Sequence, residues 1–458
     1  GLAAYLLAKE LELTETAAYL TGLITSFWPY NLSHHGHPNL ILIAWILFAL
    51  LYLHRLSKNL SWRNVVLLGL FLGLIGITRW QLLIMAAPIV GIYSLWLLFQ
   101  ERKGHLWLLV QRVIASGLLS LLIMLPFLTP LLLFQTSRSD PTEVILEEFN
   151  YPTDLVAYFL PGSYHPIWGD SIRPIALTFV GNHLYVRTLG YTALLLVLLG
   201  VFRQWPRAKI WAALLLLYLF LALGSDLYIA GQPTIPLPFR LIEDSFLIQA
   251  LRFPDRFNVI TVIPFSLLAG LGIEHLLKRS PSTHRSRRIA GLVCLLILFE
   301  YLNVYQMLSV EIPDWYDQVA ADEEVYSILD IPAFAREKSD SHFMYYQVFH
   351  GKPLISGNIA RPPSESMALF QSVPLLTHLR ESEEASPEVV NPSKQLRLLA
   401  NADVRYVVLH KEYLSPNDVQ SWKTWFVEPP WHEDEHLIIY LTDRPPIEQT
   451  VSLENILV

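Results

Sequence analysis

Cysteine is all but missing from this chain: Cys294 stands alone inside an apolar run. No intrachain disulfide can form, and metal sites built on thiolates are excluded. Charge is scarce as well. Only 16% of the 458 residues are charged, 53% are hydrophobic and the mean hydropathy is +0.38. A soluble domain carries about 25% charged residues, so a single water-soluble fold is excluded and a polytopic membrane protein is implied. The net charge of -7 decides little, because the charges are segregated along the chain. GxxxxGK[ST], HExxH, GxSxG and CxxC are all absent, which removes the usual sequence support for nucleotide hydrolysis, zincin proteolysis, elbow-serine hydrolysis and thiol chemistry. No repeat with a period of about 20 to 50 residues and no low-complexity segment stands out.

What the sequence does hold is a succession of apolar runs, at residues 15–28, 38–54, 64–78, 82–99, 112–134, 189–202, 208–223, 257–277 and 289–308. A bilayer crossing needs about 20 residues, so the runs at 15–28, 64–78 and 189–202 need tilt, local thinning or interfacial neighbours to span. The opening GLAAYLLAKE reads as the tail of a helix already under way, with no charged leader before it. It brings the number of segments to about ten, and further sequence is expected upstream.

The connecting loops alternate in charge. KELELT, RLSKNLSWRN, ERKGH, RQWPRAK and KRSPSTHRSRR carry about 14 of the 33 Lys and Arg, whereas the opposite set carries about 7 over a much longer stretch. The positive-inside rule assigns the basic loops to the cytoplasm and everything from residue 309 to the outside. Two outer loops are long, at 135–188 and 224–256. Their Pro, Gly and aromatic content suggests an ordered interfacial lid. After residue 309, VRYVVLH and HLIIYL read as strands, and KQLRLLANA as a short helix running into the first of them. The expected architecture is thus mainly α: a transmembrane helical domain over 1–308, then a small α/β extracytoplasmic domain over 309–458.

Candidate chemistry collects in the outer loops. In LRFPDRF, Arg252 and Arg256 stand four apart directly before an apolar span. On one helical face they could grip a phosphate with two forks; alternatively they anchor the interface, with Asp255 as cap or salt-bridge partner beside the helix-interrupting Pro254. His34, His35 and His37 in HHGH could hold a metal ion, exchange protons or simply hydrogen-bond. His165 in YHPIWG lies beside Tyr164 and Trp168, whose rings could stack on a sugar. Asp226, Glu147 and Glu148 could act as general bases or serve as solvated caps. Glu300, within the last apolar run, invites a functional or helix-pairing reading, with Arg79 as one candidate partner. Trp315, Tyr345, Tyr346, Trp422, Trp425 and Trp431 could contact sugars, although core is the commoner place for such side chains.

The layout resembles the GT-C superfamily of integral membrane glycosyltransferases, particularly bacterial members with a C-terminal extracytoplasmic domain. The resemblance rests on AAYLTGLITSFWPYNLSHHGHPNLILIAW, YFLPGSYHPIWG, the run from LGSDLYIAG through LRFPDRF into LLAGLGIEHLL, and GKPLISGNIARPP with LANADVRYVVLH. It implies a polyprenyl-phosphate sugar donor, a glycan or lipid acceptor, and work at the outer face of the bacterial plasma membrane in envelope assembly. It also implies a donor-phosphate role for Arg252 and Arg256. The superfamily's catalytic acid lies in the first outer loop, which is expected ahead of the first residue here, so no catalytic residue is carried over. A divalent metal ion is left open, and no nucleic-acid partner is expected. Two other functions compete: a non-catalytic scaffold of the same ancestry for polysaccharide assembly, and a secondary transporter. The transporter would need broken or charged helices in paired halves, of which only Glu300 and Pro264 come close.

Overall fold

The computed structural model describes residues 1–100, 105–137, 151–179, 186–245, 248, 251, 253–279, 282–305, 310–334, 338–357, 364–382 and 384–442. The chain divides into two compact units near residue 306.

The first unit is helical. Among the described residues, five helices are long and apolar enough to cross a membrane: Pro38–Lys58, Trp80–Gln100, Leu106–Pro130, Trp205–Leu223 and Pro254–Lys278. Trp62–Thr78 and Tyr191–Arg203 are apolar but shorter, and Glu15–Ser26 ends ahead of two brief turns of helix, Pro29–Ser33 and Pro38–Ile41. Asn258–Lys278 is the central helix, buried continuously from Asn258 to Glu274. Its small residues allow this. A Cβ on Gly272 would strike the carbonyl of Leu196 on the neighbouring helix Tyr191–Arg203, and one on Gly270 would strike Thr21 Oγ1 on Glu15–Ser26. Close backbone approach is how helices associate where lipid supplies no hydrophobic drive. Polar contacts supplement it: Thr25 Oγ1 donates to Ser266 Oγ at 3.1 Å.

Charged groups gather at one end of this bundle. Glu274, 1% exposed, accepts from Arg207 at 2.8 Å, from Lys278 at 2.6 Å and from the Thr14 N–H at 2.9 Å. Arg55 pairs with Glu10 at 2.7 Å. These contacts bring the ends of separate basic loops to a common basic face. The two long loops leave from the opposite end and hold more structure than their irregular sequence suggests. One contains the helix Gly169–Ala176. The other contains a hairpin, Asp226–Ile229 with Gln232–Pro236, turning at Ala230 and Gly231, both at positive φ. The final helix of the unit, Thr283–Glu300, stops short of the run expected to reach 308.

The second unit is built on a four-stranded sheet in the order Ser327–Ile331, Val404–His410, Leu437–Leu441, His432–Glu433. The first pair is parallel and the others antiparallel. VRYVVLH and HLIIYL are the two central strands, and helix Pro392–Asn401 leads into the first of them. Alternation along the strands makes two apolar faces. Leu329, Ile331, Val407, Leu409, Ile438 and Tyr440 pack with Trp422, Trp425 and Phe426. Ile328, Val408, Leu437 and Ile439 pack with Trp315, Tyr316, Phe343 and Tyr346. Of the six aromatic residues singled out as possible sugar contacts, only Tyr345 and Trp431 are exposed.

Candidate functional site

Pro254 begins a short 3-10 turn, Pro254–Phe257, that runs straight into the central helix. Proline fits the first helical position because its missing N–H would have no partner there. The turn aims Asp255 inward. At 3% exposure, its carboxylate receives a two-pronged contact from Arg187: Nε to Oδ1 at 2.7 Å and Nη2 to Oδ2 at 2.9 Å. Thr153 Oγ1 donates to Oδ1 at 2.6 Å, and the Tyr30 hydroxyl lies 2.9 Å from Oδ2. Asn258, one turn on, accepts from the Tyr158 hydroxyl at 2.8 Å and donates to Thr153 Oγ1 at 2.8 Å. Asp255 and Asn258 thereby tie the HHGH segment and the first long loop to the central helix. An ion pair at Asp255 was expected with a flanking arginine. Among the described residues its partner is Arg187, 68 residues away in sequence.

The arginine that follows Asp255, Arg256, is half-buried, donates Nη1 to the Leu251 carbonyl at 2.7 Å and lies 4.4 Å from the Phe253 ring centroid. Arg252 lies outside the described residues, as do Glu147 and Glu148. The HHGH histidines have different surroundings, with the His34 and His37 ring centroids 6.2 Å apart. His34 is buried and its Nδ1–H donates to the Tyr30 carbonyl at 2.8 Å. Burial pushes its pKa down to about 4, against smaller opposing effects of the Tyr30 carbonyl and Asp255, so the ring is neutral. His35 leans on Tyr305, with ring centroids 5.0 Å apart. Among the described residues, no group of three or more His, Cys, Asp or Glu side chains is placed to hold a metal ion.

His37 has a different environment. Its pKa is lowered first by loss of solvent, then by the positive charges of Arg256 and Arg79 and by His35. Arg79, at the tight turn between Trp62–Thr78 and Trp80–Gln100, donates Nε to Gln81 Oε1 at 2.6 Å and Nη1 to Asn39 Oδ1 at 3.0 Å. Two guanidinium groups from distant parts of the sequence thus act on one imidazole at the face opposite the basic loops. An electropositive group of this kind is suited to an anion. Arg79 joined the expectations only as a partner for Glu300, and that pairing is incorrect. Glu300 is the last residue of its helix, and its carboxylate takes the Thr192 N–H at 3.0 Å and the Thr192 hydroxyl at 2.6 Å. It caps helix Tyr191–Arg203, where exposed N–H groups favour a negative charge.

The remaining candidates make structural contacts. His165 accepts the Ile167 N–H on Nδ1 at 3.2 Å, which leaves Nε2–H to donate to the Phe299 carbonyl at 3.0 Å, and its ring stacks on Trp168 at 3.7 Å. Asp226 opens the hairpin paired to Arg240 at 2.7 Å. Sequence reasoning missed Asp154 altogether. It is buried, caps Val156 at 2.9 Å and accepts the N–H groups of Ala230 and Gly231 at 3.1 and 2.6 Å, so one carboxylate docks the hairpin turn onto the other long loop.

Residues 1–129 match the dolichyl-phosphate-mannose-protein mannosyltransferase family. The match supports the resemblance to membrane glycosyltransferases of the GT-C superfamily, and the stretch includes HHGH and Arg79. No curated protein matches this sequence. Among solved structures, the arabinofuranosyltransferase AftD from mycobacteria, determined by single-particle cryo-EM as a mutant, aligns with 96% of this chain and 34% of its own. The identity is 14% and the TM-score 0.43, and the chain spans about a third of that protein's length.

Proposed function

We propose that this protein transfers a sugar from a polyprenyl-phosphate donor to a glycan or lipid acceptor at the extracytoplasmic face of the bacterial plasma membrane, in envelope glycan or glycolipid assembly. The observation that carries the reading is the match of residues 1–129 to a mannosyltransferase family. The guanidinium groups of Arg256 and Arg79, whose charges both bear on His37, support the donor chemistry. In the transfer, an acceptor hydroxyl attacks the anomeric carbon, the bond from that carbon to the phosphate oxygen breaks, and polyprenyl phosphate leaves with the bonding electrons. Guanidinium groups already in place stabilise the charge that develops on the leaving phosphate. A base must also take the acceptor's proton. Asp255, Asp226 and Glu300 are engaged by Arg187, Arg240 and Thr192, so none of the three is assigned that role.

Charge-assisted hydrogen bonds contribute roughly 1.5 to 3 kcal/mol, so Arg256→Ala should weaken donor binding on the order of 10- to 100-fold. Thermal stability should change far less. Transfer by the full-length protein with unaltered donor affinity would show that Arg256 does not hold the phosphate. The engagement of those three acids also favours a second reading, a non-catalytic scaffold. Loss of that reading needs only one result: sugar transfer by purified, folded full-length protein.

A further inference from the structure

We propose that residues 155–179 lie in the headgroup boundary of the bilayer, with Phe159, Ile167, Ile175 and Leu177 inserted among the lipids. The occupant of this apolar surface is the lipid itself, and the argument is continuity with the exposed apolar stripes of two neighbouring helices, Tyr191–Arg203 and Thr283–Glu300. On Tyr191–Arg203 the exposed side chains Tyr191, Leu195, Leu198 and Phe202 fall at spacings of four, three and four, one stripe of a helix. On Thr283–Glu300 the exposed Leu292, Leu295, Leu296 and Phe299 form a second stripe. Both helices carry their arginines at one end: Arg203 on the first, and Arg285, Arg287 and Arg288 on the second. The segment is fastened across the other end of both.

The fastenings are specific. Tyr191 donates its hydroxyl to the Phe159 carbonyl at 2.6 Å, and the Leu189 N–H donates to the Tyr158 carbonyl at 3.0 Å. His165 donates to the Phe299 carbonyl, and Trp168 meets the Phe299 ring edge-on at 5.3 Å. Past the helix end, the Val304 N–H donates to the Tyr164 carbonyl at 2.9 Å. Each lipid-facing stripe thus ends on an aromatic side chain that the segment holds directly. Phe159, Ile167, Ile175 and Leu177 lie exposed just beyond, Ile167 at 70%.

Composition points the same way. Residues 155–169 contain no Asp, Glu, Lys or Arg but do contain the partly or fully exposed Phe159, Tyr164 and Trp168. Tyr and Trp concentrate where hydrocarbon meets headgroups, because each presents an apolar ring and a polar tip. The first charges that follow, Asp170 and Arg173, pair with each other at 3.5 Å, and the Asp170 side chain, 99% exposed, marks the water side of the boundary. Helix Gly169–Ala176 turns Ile172 and Ala176 toward a narrow cleft shared with Leu160, Phe179 and Val186 and with the polar Ser163 and Arg187. Ile175 is left at its shoulder, outside the fold.

The experiment uses the full-length protein carrying Cys294→Ser, with single cysteines at Ile167, Ile175 or Leu177 and at Asp170 as a water-facing reference. Each is labelled with an environment-sensitive fluorophore and reconstituted into phosphatidylcholine–phosphatidylglycerol vesicles. The replaced side chains are exposed, so the packing beneath them is preserved. Labels at 167, 175 and 177 should be quenched several-fold less by iodide than the label at 170, and several-fold more by lipids spin-labelled near the headgroup. Iodide quenching equal to that at 170 at all three positions overturns the proposal.

Discussion

Burying an ionised carboxylate costs several kcal/mol unless partners replace its water, and at position 255 they do. Arg187, Thr153, Tyr30 and Asn258 supply donors to Asp255 from four separate places in the sequence. A pair of this kind adds little net stability compared with an apolar substitute, but removing one member leaves the other charged and dry. Asp255→Ala and Arg187→Met should therefore each destabilise the first unit by roughly 3 to 5 kcal/mol, and the double variant by clearly less than the sum of the two. Thermal unfolding of the detergent-solubilised protein, followed by tryptophan fluorescence, measures all three. Single variants that melt like the parent would mean that the pair does not organise these loops.

At the scale of elements, the helices that sequence reading marked most clearly are those whose apolar runs are long, because periodicity and length are local properties. The strands VRYVVLH and HLIIYL were legible for the same reason. What pairs with what was not. Asp255 could be recognised as a charge needing a partner, but Arg187 is brought to it only by the path of the loop between them. The hairpin Asp226–Pro236 was hidden by prolines at 233 and 236, which weaken a strand signal; the available cue was the Ala230-Gly231 pair at its turn. Pro88 gives a third case. It interrupts the helix Trp80–Gln100, and there the Tyr218 hydroxyl from another helix donates to the Met85 carbonyl at 2.6 Å and accepts the Ile89 N–H at 3.1 Å. The side chain satisfies backbone groups that hydrocarbon could not. Tyr218→Phe leaves both without that partner and should lower stability by about 1 to 3 kcal/mol. The same melting experiment tests it, with Tyr93→Phe as a comparison from the same apolar core; equal, negligible shifts would show that the helix heals without the hydroxyl.

For the whole molecule, the decisive quantity is the side of the membrane on which each charge lies. Lys9, Arg55 with Lys58, Arg207 and Lys278 come from four separate loops, yet their ion pairs with Glu15, Glu10 and Glu274 gather them at one end of the bundle. By the positive-inside rule such loops should be retained in the cytoplasm, and Arg79, His37 and Arg256 should then lie on the other side. One further helix, Thr283–Glu300, leads away from the basic loop at 278–288, so the unit that follows it should lie outside the cell. Fusions read this directly. Alkaline phosphatase joined after residue 458 should be active and green fluorescent protein there dark, whereas fusions ending within 278–288 should show the reverse. The opposite pattern would turn the molecule over, put the cationic group in the cytoplasm and remove the basis for transfer at the outer face.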